Sequence, residues 1–230
     1  MPPTGERCPV GSIDDVLRRL VEVRDRALVA ATPDTVDGVA VVAALLHVVT
    51  CRVADLVDAG RFAAPAFLAR LVGELADRFT AALELHAAGS PATPAAWRLL
   101  FDSRSDPSVP AAAFAVAGVN AHLNLDLAAA LVSTWEHVPP DDGGPASAQY
   151  RDYCLLTDTV ETTVDPLRED LGASGAGHLA DLAVRFTRDL AWDEAREVWT
   201  DGADDERRLR SAEKLDAIAG WLARPLLGRT

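Results

Sequence analysis

VPAAAFAVAGVNAHLNLDLAAALV, residues 109–132, is a long apolar run carrying Asn120, His122, Asn124 and Asp126 at every second position near its centre. Asp126 is the only formal charge in it. A buried polar group without a partner costs a few kcal/mol, and a lone buried carboxylate costs more. A chain that keeps four such groups here must satisfy them with side chains, a metal or a ligand, so this is where a site is expected. On a helix, residues four apart stack on one face. His122 and Asp126 then share one face, and Asn120 and Asn124 share a nearly opposite one. The run is long enough to cross a bilayer. Its four polar groups, however, sit at the centre, where a membrane tolerates them least. A helix buried inside a soluble bundle is the expectation, with no membrane.

The flanking sequence reads the same way. No segment shows sustained strand alternation bounded by hairpin turns, so the fold class is all-α. Ser12 is placed to cap a helix whose stripe is Ile13, Val16, Leu17, Leu20, Val23 and Ala27. Asp37 begins a second helix, apolar on nearly all sides from Val39 to Val49, ending near Gly60. Pro65 opens a third that stops at Gly89, and a short one follows over Pro94–Phe101. After the central run come helices from Ala148 to about Asp165, where Pro166 is expected to end it, from Gly177 to Trp199, and from Ala203 to Leu227. The reading is one domain over 1–230: a bundle-like or orthogonal array of seven to eight helices around two buried central ones, the second and the fifth. Residues 1–11 are expected to be disordered. Residues 137–149, with three prolines and two glycines, are expected to form a mobile loop.

Composition narrows the function. A hydrophobic share of 49% in 230 residues suffices for one sizeable core. A net charge of −13 argues against nucleic acid, because no clustered row of Lys and Arg is present for phosphates. The three cysteines, Cys8, Cys51 and Cys154, form no CxxC pair, which disfavours a zinc knuckle or disulfide framework. The first residues lack the apolar stretch of a signal peptide, so the cytoplasm is the expected compartment. A homodimer is allowed.

His122 and Asp126 are the primary catalytic candidates, with His47 as a supplementary base. One imidazole and one carboxylate from successive turns also suit a divalent metal ion, with Asp189 as a third ligand. Asn120, Asn124, Arg188 and Trp97 are candidates for holding substrate; an inward Arg188 could instead fork onto Asp126. GxGxxG, Walker, GxSxG and HExxH motifs are absent from the sequence.

The string Gly118-Val119-Asn120-Ala121-His122-Leu123-Asn124-Leu125-Asp126-Leu127 resembles the signature of an uncharacterised bacterial family, domain of unknown function 5995. Trp97 in an Ala-Trp context, Asp152-Tyr153 and Arg188-Asp189-x-Ala191-Trp192 are lesser matches. Phe114 stands where members often carry a histidine. The resemblance implies an all-helical fold and brings no established activity. The leading expectation is a small-molecule enzyme with its site inside a helical bundle, a metal-dependent hydrolase being the nearest chemistry. The alternatives are a non-catalytic binding protein whose apolar pocket holds a small molecule, and a purely structural buried network.

Overall fold

The computed structural model describes residues 13–31, 35–141, 144, 146–170, 177–200 and 205–228, the helical residues 167–170, 177–186 and 205–209 through their backbone alone. Residues 1–12 lie outside the described residues, and with them Cys8, the expected Ser12 cap and the expected disorder of 1–11. The described chain is all-α: α1 (Ile13–Ala30), α2 (Gly38–Asp58), α3 (Pro65–Ala87), α4 (Ala95–Ser103), α5 (Ala111–Ala121), a π turn (His122–Asp126), α6 (Leu127–Trp135), α7 (Ala148–Asp170), α8 (Gly177–Thr200) and α9 (Asp205–Leu226). The segment α5–π–α6 is one continuous rod, so the described chain folds as eight rods.

Local chemistry sets the helix starts, though the caps come from unexpected places. Asp37 caps α2 by accepting from Ala40 N at 3.0 Å, and its other oxygen binds Arg104. Helices α3 and α4 have no cap of their own. Instead Asp152 of α7 accepts from Ala63 N and Ala64 N, and Asp216 of α9 accepts from Ala95 N and Ala96 N. Each carboxylate satisfies two donors that a helix N-terminus leaves free, and so pins one helix end to a distant helix.

One hydrophobic cluster runs from Val16 of α1 to Ala223 of α9. At its centre lies the rod Ala111–Trp135, whose most apolar window is 83% buried. Each Leu or Phe taken out of water there contributes about 1.5–3 kcal/mol. Helix α2 differs from expectation. It is also long and apolar enough to span a bilayer by composition, yet only 44% of its window is buried, and Val48 faces outward. A single buried rod, rather than two, forms the centre, because α2 packs on α1, α4, α5 and α7 and still leaves part of its surface, Val48 included, exposed. Helix α7 also departs from expectation by continuing through Pro166. The proline removes one N–H from the ladder near the end of the helix, and the turn beyond it still forms.

The connection 137–149 is tied down where it is described. Gln149 accepts from Trp135 Nε1 at 3.0 Å and donates to the Pro139 carbonyl at 3.0 Å, and Asp141 accepts from Ala148 N. Positions 142, 143 and 145 of the expected mobile loop lie outside the described residues.

Candidate functional site

The π turn carries His122, Asn124 and Asp126, and Asn120 stands just before it at the end of α5. Such a turn inserts one extra residue into the helical ladder, and single π turns occur often at functional sites. Both expected stacks form across it. His122 Nδ1 lies 3.0 Å from Asp126 Oδ2, and Asn124 Nδ2 donates to Asn120 Oδ1 at 2.9 Å.

The two stacks have different surroundings. Asn120 donates to the Ala219 carbonyl of α9 at 2.8 Å, and Thr187 of α8 donates to Asn124 Oδ1 at 3.3 Å. The asparagines therefore tie three helices together, each with one N–H and its carbonyl oxygen engaged by protein. They line no part of the cavity described below; Asn124 reaches only a separate crevice beside α8 and α9.

The His122–Asp126 pair is buried among aromatic rings. Trp97 Nε1 donates to Asp126 Oδ2 at 3.1 Å, and its ring meets the His122 ring edge-on at 5.1 Å. Trp97 is itself fully buried, stacked on Phe101 and packed against Phe79. Trp97, expected among the residues that hold substrate, fixes Asp126 from inside the core. Asp126 Oδ2 accepts from two donors, so the carboxylate orients the imidazole through Nδ1.

The remaining nitrogen, Nε2, has no hydrogen-bond partner. Among the described residues the buried side-chain nitrogens and oxygens without a partner are the Nε atoms of Arg19, Arg70 and Arg78. Nε2 of His122 is not one of them, and His122 borders open space. That space is a cavity of about 70 Å³ enclosed by α1, α2, α3, the rod and α7. Leu20, Val53, Val72, Leu123 and Leu156 represent its five walls, and His122, Thr50 and Thr157 are its polar lining groups.

The other expected site residues lie elsewhere. Leu46, Val49, Thr50 and Val53 line the cavity from α2, whereas His47 sits one position off that face and its Nδ1 lies 3.7 Å from Cys51 Sγ. A rotation of about 100° per residue is enough to turn it away. Asp189 accepts from Tyr150 Oη at 3.0 Å and from Arg188 Nε at 2.9 Å, and Arg188 also reaches Asp158 at 3.3 Å. Arg188 is thus neutralised by two acids of its own and does not fork onto Asp126. The expected ligand trio of His122, Asp126 and Asp189 does not assemble. Among the described residues no three His, Cys, Asp or Glu side chains converge as metal donors.

Around Asp189 the titration behaviour is shifted. Burial, then the bond to Asp189, pushes the Tyr150 phenol up, and burial pushes Tyr153 well above the usual range. Burial also raises the Cys154 thiol, leaving it in its unreactive form. Burial works against the charge of Arg188, but the bond to Asp189 and the electrostatic attraction of Cys154, Asp189 and Tyr150 together outweigh it and hold the guanidinium above its ordinary value.

Thr50, Thr157 and the α7 lining were not foreseeable as site residues. They are ordinary helix positions that meet His122 only through packing between segments far apart in the chain.

The arrangement defines an all-helical protein with one buried histidine–carboxylate pair on a π turn, opening on an apolar cavity. The chain belongs to the family of unknown function DUF5995, whose model matches residues 13–229. No curated protein and no solved structure matches it.

Proposed function

We propose that this protein binds a small, largely apolar molecule in the cavity between α1, α2, α3, the central rod and α7, with His122 as its polar anchor. One observation carries this reading. His122, whose Nε2 has no protein partner, lines a cavity whose other walls are apolar except for two threonine hydroxyls bonded to backbone carbonyls, while Asn120, Asn124 and Asp126 have protein partners. A pocket with apolar walls and few placed polar groups is the usual form of a ligand site.

Xenon tests it, since an apolar void takes up that atom without any polar requirement. A saturable xenon NMR shift is expected for the full chain and should vanish in Ala76→Phe, which fills the cavity from α3. Absence of a saturable shift, or an unchanged one in the filled variant, overturns the proposal.

A second reading, a small-molecule hydrolase, draws on the histidine–carboxylate pair alone. A carboxylate that orients an imidazole is the arrangement of a general base, which would activate water at Nε2. The Thr50 and Thr157 hydroxyls are committed to backbone carbonyls, which leaves no described donor in the lining for a developing oxyanion. Histidine-dependent release of acid from methyl acetate, abolished in His122→Ala, would favour this reading over simple binding. A metal-dependent version needs donors from residues other than Asp189; metal analysis of untagged protein tests it.

A further inference from the structure

The polar groups that line the cavity share a property: each has lone pairs for a guest and none has a hydrogen to give. Thr50 Oγ1 donates to the Leu46 carbonyl at 2.7 Å. Thr157 Oγ1 donates to the Cys154 carbonyl at 2.9 Å, with Tyr153 O at 3.2 Å. A hydroxyl carries a single hydrogen, so both are committed.

His122 follows by elimination. The indole of Trp97 can only donate, so Asp126 Oδ2 accepts from it. An ionised carboxylate has no proton to offer, so the hydrogen in the 3.0 Å contact belongs to His122 Nδ1. Neutral imidazole has one N–H, which leaves Nε2 as a bare lone pair.

We infer that the cavity selects a compact alcohol: an apolar body carrying one hydroxyl, whose hydrogen is accepted by His122 Nε2. The inference rests on the ligand-binding reading above. The volume, about 70 Å³, is roughly half that of the ~150 Å³ hydrocarbon-lined cavity that holds benzene with its six carbons, which suits about three non-hydrogen atoms. Ethers and ketones bring only lone pairs to lone pairs. An ammonium would donate, but it would lose its hydration against aliphatic walls.

The test uses an isomeric pair, ethanol and dimethyl ether, which share composition and bulk and differ in the donor. With nitrogen-labelled histidine in the full chain just above neutral pH, the His122 proton should reside on Nδ1. Titration with ethanol should move the Nε2 resonance saturably, with an affinity roughly fivefold above that of the ether, the ratio one neutral hydrogen bond sustains. In His122→Phe the ratio should fall to about one. A proton on Nε2, or an ether that binds as tightly as the alcohol, overturns the inference while leaving the cavity reading standing. Failure of both probes to bind takes the cavity reading with it. If His122→Phe does not fold, the wild-type proton position and the two-probe ratio decide alone.

Discussion

Trp97 and His122, 25 positions apart in the sequence, place their N–H groups on the same oxygen, Asp126 Oδ2, at 3.1 and 3.0 Å. Removing that oxygen leaves two buried donors with no acceptor. Such a loss costs about 1–3 kcal/mol for each group. Asp126→Ala is therefore expected to destabilise the fold by about 2–5 kcal/mol in urea unfolding. Asp126→Asn keeps one acceptor oxygen and should lose less than half as much. Equal losses in the two variants would show that the shared oxygen is not what matters.

Much of this fold was legible because it rests on local chemistry. Val16, Leu20, Val23 and Ala27 form a helical stripe by spacing alone, and they are the buried residues of α1. The polar quartet announced itself because unpartnered polar groups are expensive inside an apolar run. Both of its stacks followed from the i, i+4 rule. What stayed hidden depends on non-local packing. Nothing in the sequence ties Asp152 or Asp216 to a distant helix start, yet each caps a helix that begins about 90 to 120 residues earlier. Arg188 and Asp189 both looked able to turn inward, and only the placement of Tyr150 and Asp158 sends them to a different cluster. His47 shows the limit most plainly: composition marked α2 as apolar all round, but which arc of it meets the cavity is set by its neighbours.

Gly118 marks a close approach of the rod to α2. A Cβ there would lie 2.7 Å from Val42 Cγ2, well inside contact distance. Gly73 of α3 is the internal comparison, since a Cβ there meets nothing within 4 Å. Gly73→Ala should stabilise by about 0.5–1 kcal/mol, the helix-propensity gain. Gly118→Ala should destabilise by about 1–3 kcal/mol despite the same gain, because the core must shift. Adding Val42→Ala should recover about 1 kcal/mol or more of that loss relative to additivity. Denaturant midpoints for the four variants check it, and equal behaviour of the two glycines would refute the close-packing account.

The two tyrosines of the chain give an alkaline prediction whose sign is determined. Tyr150 donates to Asp189, Tyr153 donates to the Arg188 carbonyl, and the pKa of each lies above the ordinary 10.0 in the folded state. A raised folded-state pKa means that the native form holds its proton longer than the unfolded chain. The associated stability is fully present below about pH 10 and declines as pH rises toward the folded values. Phenolate absorbance should therefore stay low while the helices persist and should rise together with the loss of helical ellipticity. The Tyr153→Phe variant should halve the total phenolate change, because Tyr150 alone remains. It should also lower stability at neutral pH by about 1 kcal/mol, through the lost bond to Arg188. Ionisation of both phenols in a chain that keeps its helices would mean that the proton is not what those two hydrogen bonds require.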